Sequence, residues 1–350
     1  MTPNWKAEPL DLRTADDDVL RRVYDLTSAV RSESMPEDDA PPFAEVAATW
    51  RVHHPRRPET SFAVWGDDGR ALGTASVGWE EYGDNPEISF IDIEVADDAR
   101  RQRVGAYLAQ ACFEVAEAAG RPLLFLDAHG NIPAGSAFLE ALGAERKFTG
   151  RYSLLRFDDV DVAQLEGWVA RAAERASDYE VVGWAGPCPE EHAEAFVAEQ
   201  AVMNTAPMED LEYEDEIFSI ERLRDREQIW AERGLDWRTL VAVHKPTGEM
   251  VAHSDVLLPG SWPQRAYQND TGVNPAHREK GLGRWLKAEM LLSIMRERPA
   301  LNAISTFNAG SNAAMLGINY AMGFRTVGEF PAYQVRLEAA RPKLAALLDA

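Results

Sequence analysis

The chain has 350 residues, 45% of them apolar, and a formal charge of −22; that length accommodates two cores of ordinary size. The charge argues against nucleic-acid partners, which need a basic surface, and fits a cationic substrate or solubility alone. With no apolar run of the ~18 residues a membrane span needs and no signal-peptide pattern, the chain reads as soluble and cytoplasmic, with no membrane partner.

In chain order, "SFAVWGDDGRALGTASVGWEE" predicts two strands around a glycine turn. "IEVADDARRQRVGAYLAQACF" follows as a strand end, a loop and a helix with Val104, Leu108 and Cys112 on one face. "RPLLFLDAHG" reads as a buried strand, and "GSAFLEALGA" as a short helix closed by Gly143. After the helical stretch "DVAQLEGWVARAAERAS", the segment "YEVVGWAG" opens a second series of the same kind. In it "RTLVAVHKPTGEMVAHSDVLL", "AYQNDTGV" and "LNAISTFNAG" are strands, and "SNAAMLGINYAMGF" is a helix closed by Gly323. Aligning Val95 with Val273, an offset of 178, carries Asp92 to Asp270, Arg100 to Arg278 and Gly105 to Gly283. The same offset carries the helix face to Leu282, Leu286 and Met290, so the chain is an internal repeat. The expected fold class is α/β with a mixed (α+β) sheet in each of two tandem units. Their expected spans are 1–160 and 178–350, joined by a helix over 161–177.

The second copy runs Arg278, Glu279, Lys280, Gly281, Leu282, Gly283 into a helix. It is not a P-loop, because Lys287 is misplaced for one. Nor is it a dinucleotide fingerprint, because Leu286 occupies the third glycine's place. Glycines that turn successive N–H groups toward one anion at a helix start still specify a phosphate grip. On these residues the sequence resembles the GNAT superfamily of acyl-CoA-dependent N-acyltransferases. "FNAGSNAAMLGINYAMGF" is similar to the family's later Asn and Gly-Phe motif, and the resemblance covers nearly the whole chain. It implies two tandem GNAT-like domains with acetyl-CoA as co-substrate. The implied coenzyme contacts are Thr271, Gly272, Val273, Arg278, Glu279, Lys280, Gly281, Leu282, Gly283, Arg284, Asn308, Asn312 and Asn319. Asn312 is also expected as the N-cap of its helix.

In the first copy Arg103 stands in Gly281's place, where a side chain is expected to restrict the turn and crowd a phosphate. Ile132 takes the place of the family's Asn, and Leu139 offers no proton. The reading is one working site, in the second unit, on a duplicated scaffold.

Acyl transfer to an amine needs positioning, a base and oxyanion donors. The resemblance implies donors around Gly272 and Val273. Asp270 is the candidate base or amine ligand, with pairing to an arginine as the alternative. The helix tyrosine of many family members maps to Asn319, a departure that leaves Tyr320 and Tyr333 as fallback acids. In the acidic "MNTAPMEDLEYEDE", Glu214 and Asp215 are candidate ammonium ligands; the alternative is a solvated face. His253 faces the acceptor or is a satisfied core histidine. The histidines form no metal pattern, and Cys112 and Cys188 form neither a disulfide framework nor a zinc site, so no metal is expected. The expected acceptor is a small-molecule amine, with protein N-termini or lysines as the alternative. A non-catalytic acyl-CoA sensor is the rival reading, and aminoacyl transfer from charged tRNA is disfavoured by the acidity. Oligomeric state has no signal in the sequence.

Overall fold

The computed structural model describes residues 5–349. The first elements are β1 (Glu8–Leu10), α1 (Asp17–Ser34), α2 (Phe43–Arg51), β2 (Glu59–Trp65), β3 (Ala71–Gly78) and β4 (Ile88–Val95). They continue with α3 (Val104–Ala118), β5 (Leu123–Asp127), α4 (Pro133–Ala141), β6 (Glu145–Arg156), α5 (Val162–Arg175) and β7 (Tyr179–Ala185). Next come α6 (Glu190–Gln200), α7 (Ile220–Glu232), β8 (Leu235–His244), β9 (Glu249–Pro259) and β10 (Arg265–Val273). Last are α8 (Leu282–Glu297), β11 (Ala303–Ala309), α9 (Ala313–Met322), β12 (Arg325–Arg336) and α10 (Leu337–Asp349). Local rules account for several boundaries. Asp16 caps α1 by accepting from Val19 N at 2.8 Å, with Asp17 and Asp18 in the positive first turn. Gly323, at φ 103°, closes α9 in the left-handed conformation that glycine tolerates.

Packing divides the chain into two units. Unit 1 takes the chain up to Gly150, Met208–Asp215, and the chain from Val327; unit 2 takes Arg151–Pro207 and Glu216–Thr326. In unit 1 the strand order is β1-β2-β3-β4-β5-β12, antiparallel except for the parallel pair β4 and β5. In unit 2 it is β6-β11-β10-β9-β8-β7, with β10 and β11 parallel. Both are mixed sheets, as expected for this fold class.

The unit boundaries differ from the expected spans. β6 belongs to unit 2 from Arg151 on, while most of β12 and all of α10 return to unit 1. The reason is packing. β12 pairs with β5 from Ala332 opposite Asp127 to Arg336 opposite Leu123. Tyr333, Val335, Leu337, Ala340 and Leu344 are buried in the same core as Leu108, Phe113 and Leu126. The helix expected as a linker, α5, instead buries Leu165 and Trp168 in unit 2 beside Met290 and Ile294 of α8. Burying side chains of that size contributes about 1.5–3 kcal/mol each.

Candidate functional site

Each unit contains one parallel strand pair that separates partway along. In unit 1, β4 and β5 pair from Ile88/Leu123 to Ile91/Leu126, and the pairing stops before Asp92. In unit 2, β10 and β11 pair from Arg265/Ala303 to Gln268/Thr306 and then part. Beyond these points β10 presents backbone groups that β11 does not pair. Each splayed strand feeds a loop and a helix N-terminus.

The two loops share one backbone shape. Glu279 and Gly281 have φ of 64° and 81°; Arg101 and Arg103 have φ of 58° and 67°. The expected restriction at Arg103 does not arise: a non-glycine residue reaches the left-handed well at a cost of about 1–2 kcal/mol, which a domain core absorbs. Neither helix has a side-chain cap. The first helical bonds are Tyr107 N to Arg103 O at 3.0 Å and Trp285 N to Gly281 O at 2.9 Å. The preceding first-turn N–H groups therefore have no helical partner, an arrangement suited to an anion. Added at Gly281, a Cβ would meet nothing within 4 Å, so the loop mouth is open.

The arginine heading each loop braces it. Arg278 Nε donates to Val273 O at 3.1 Å and Arg100 Nε to Val95 O at 3.2 Å. Their other nitrogens reach Thr205 Oγ1 at 2.5 Å and the Glu33 carboxylate at 2.6 and 2.8 Å.

Unit 2 carries a buried polar cluster beside its splay. β10 bulges between Gln268 and Thr271, so Asn269 and Asp270 together oppose Asp255 of β9. Asn269 Nδ2 donates to Asp255 Oδ2 at 2.9 Å, and Arg226 lies 3.5 Å from Asp270 Oδ2. His253, fully buried, meets the Glu199 carboxylate through Nδ1. Burial by itself lowers the His253 pKa; the Glu199 charge and hydrogen bond override that and lift it to about 9. Burial, then the Asp270 charge, raises Asp255 to about 6. Gly272 makes this packing feasible, since a Cβ there would lie 2.3 Å from Val202 Cγ1 and 2.9 Å from His253 Cε1.

Unit 1 holds a cavity of about 1000 Å³ along its splay, walled by Phe90, Phe125, Phe138 and Ile132 and bounded by Arg100 to Arg103. Asp92, Glu94 and Asp127 line it. Withdrawal from bulk water, then their mutual repulsion, lifts Asp127 to about 7 and also raises Glu94. For Asp92 the same withdrawal, then the charge of Glu59, acts upward. The β3 residues opposite Asp92 and Glu94 are Ser76 and Thr74, so unit 1 has no copy of the His253 and Asp255 pair.

Residues 22–144 match the model of the Acetyltransferase (GNAT) family. Over that span the chain is similar to the GNAT family. Among solved structures, the tandem GNAT protein of the clavulanic acid biosynthesis pathway superposes with a TM-score of 0.73 at 23% identity, over 95% of this chain and 99% of its own. A GCN5-related N-acetyltransferase from Sphaerobacter thermophilus gives 0.68 at 13%, over 96% and 97%. A glucosamine N-acetyltransferase region of a fungal multi-domain GH3 β-N-acetylglucosaminidase gives 0.67 at 11%, over 95% of this chain and 38% of that one. At these identities the likeness is one of fold, and the fold is that of two tandem GNAT-like halves. No curated protein matches the chain in sequence. Among the described residues no helix is long and apolar enough to cross a membrane.

On this GNAT frame Thr271, Gly272 and Val273 end the splayed strand, and Arg278 to Arg284 form the loop and first turn. Arg284 stacks over Trp168 at 4.7 Å. Asn312 is the N-cap of α9, its Oδ1 accepting from Met315 N at 3.1 Å. Asn319 is buried and donates to Asn308 Oδ1 at 2.7 Å. Asp270 makes the arginine pair weighed as its alternative. Tyr320 lies on the exposed side of α9, its hydroxyl 3.0 Å from Thr326 Oγ1.

Three candidates fall elsewhere. Tyr333 is a core residue of unit 1, on β12 opposite Leu126. Glu214 and Asp215 belong to the segment docked on unit 1. There Glu214 N donates to Asn85 Oδ1 at 2.8 Å, and Asn85 N donates to the Glu214 carboxylate at 3.2 Å. Pairing with Asn85 fixes that segment within unit 1. Glu199, Asp255 and Arg226 went unread in the sequence. The available signal was "AHSDV", where His253 and Asp255 put two polar groups on one face of an otherwise apolar strand.

Proposed function

We propose that the chain is an acyl-CoA-dependent N-acyltransferase that moves an acetyl group from acetyl-CoA to a primary amine of a small cationic molecule, in unit 2. The observation that carries this reading is the uncapped, open-mouthed start of α8 at the end of a splayed strand, with carboxylates beside the split. The N–H groups of Leu282, Gly283 and Arg284 would hold the pyrophosphate. The unpaired edge of β10 beyond Gln268 would align an extended pantetheine arm along the strand. When bound, acetyl-CoA supplies the activated acyl group. Asp270, partly exposed at the bulge, holds and deprotonates the amine, and Arg226 orients its carboxylate. Choice of acetyl follows the family's usual donor, and choice of a cationic amine follows the carboxylates of Asp255 and Asp270 beside the split.

Thiol release from acetyl-CoA across a panel of amines tests this. Amine-dependent release that falls about 10²–10⁴-fold in Asp270→Asn, with coenzyme binding retained, is the expected result. Tight binding without turnover for any amine sinks the enzymatic reading and favours a sensor. The buried Asn319 and Asn308 pair, in place of a tyrosine hydroxyl, is the observation on that side.

A further inference from the structure

The polar cluster of unit 2 contains more donor capacity than its protein partners use. His253 and Asp255 are 0% and 2% exposed, yet His253 Nε2 and Asp255 Oδ1 have no hydrogen-bond partner. Buried polar groups in folded proteins are nearly always paired, so two such unpartnered atoms in one place mark a spot able to bind a ligand. Ligand atoms of His253, Asp255 and Asp270 lie within 4.8 Å of one another. Two features bring them together: the two-residue spacing on β9, and the β10 bulge that sets Asp270 opposite Asp255.

The surroundings are those of a cation. Glu199 engages Nδ1 of His253, the carboxylate–imidazole arrangement that fixes the tautomer of a metal-binding histidine and aims its other nitrogen at the ion. Fully ionised, Glu199, Asp255 and Asp270 sum to −3, against the guanidinium of Arg226 and, until a metal displaces its proton, the imidazolium of His253. A divalent ion with a neutral imidazole brings that sum to zero. Asp270, with its side chain 32% exposed, opens a path from solvent.

We propose that His253, Asp255 and Asp270 form a site for a divalent transition-metal cation, with Glu199 orienting the histidine. One imidazole nitrogen and two carboxylate oxygens suit Zn²⁺ or Mn²⁺ better than Ca²⁺ or Mg²⁺, which take oxygen alone. The measurements that test the site read metal binding and melting with no acyl transfer, so the site stands or falls separately from the proposed reaction.

The test is metal binding by the full chain, stripped with chelator, in a His244→Ala background. That background removes a second grouping, His244, Glu249 and His277, which could take up ions independently. Titrations use Zn²⁺ and, for its visible spectrum, Co²⁺. Expected is one equivalent per chain, a Co²⁺ absorption band showing nitrogen ligation, and a rise in melting temperature with Zn²⁺. His253→Gln and Asp255→Asn should each weaken binding by about 100-fold or more, and Glu199→Gln by about 10–100-fold. Absence of the Co²⁺ band and of the Zn²⁺ melting shift in the His244→Ala protein overturns the proposal without any need for the buried variants to fold. Unchanged affinity in a cooperatively melting His253→Gln or Asp255→Asn overturns it equally.

Discussion

At the residue scale, Arg103 and Gly281 do the same conformational work with different chemistry. Both start a helix from the left-handed well, at φ 67° and 81°. The arginine is strained there by about 1–2 kcal/mol, while glycine would add about 0.5–1 kcal/mol of unfolded-state entropy. The strain is the larger, so Arg103→Gly should stabilise unit 1 by roughly 0.5–1 kcal/mol, read as a higher urea midpoint at unchanged slope. The sequence revealed the glycine and the repeat offset, and these located both loops. It did not reveal that Arg103 would take glycine's dihedrals, because a residue type sets the cost of a conformation and the fold decides whether to meet it. Glu199 was illegible for another reason. It lies 54 residues from His253, and no local pattern marks a carboxylate on one helix as the partner of a histidine on a later strand.

At the element scale, α8 shows how one helix combines a site and a core. Its start is exposed at Gly281 and Arg284, while Leu282, Leu286, Met290 and Ile294 form its buried face. Lys287 shares that buried position at 1% exposure, its ammonium 5.7 Å from the Phe324 ring centre. Burial lowers its pKa to about 7. The unfolded chain keeps the proton up to about pH 10, so between about 7 and 10 it binds more protons than the folded protein. Stability therefore rises with pH across that window, by up to about 1.4 kcal/mol per unit. Lys287→Met should abolish this slope and leave the variant more stable than its parent at pH 6, as denaturant melts at a series of pH values would show. From each hairpin to each glycine-closed helix, element order and type were legible from periodicity, as was α5, although its role as a packed helix of unit 2 was not. The β10 bulge left no trace in the alternation of "AYQNDTGV", since polar residues already occupied both faces.

At the scale of the whole molecule, the units do not follow the order of the chain. Which strand closes a sheet is a long-range choice. Any apolar strand fits β5, and only the fold selects β12, some 200 residues later. A fragment ending at residue 160 therefore lacks β12 and α10, and with them Tyr333, Val335, Leu337, Ala340 and Leu344 of its core. Such a fragment should melt without cooperativity and bind a hydrophobic dye. Joining residues 327–349 to it through a flexible linker should restore a cooperative calorimetric transition. The same exchange has a consequence in time. At about 5–20 residues per second of synthesis, the edge of β5 waits roughly 10–40 s for its partner, with its backbone groups unpaired and prone to foreign strands. Every strand of the unit 2 sheet has been made by Ala309, whereas unit 1 still awaits β12. The unit begun first on the ribosome is thus the one finished last.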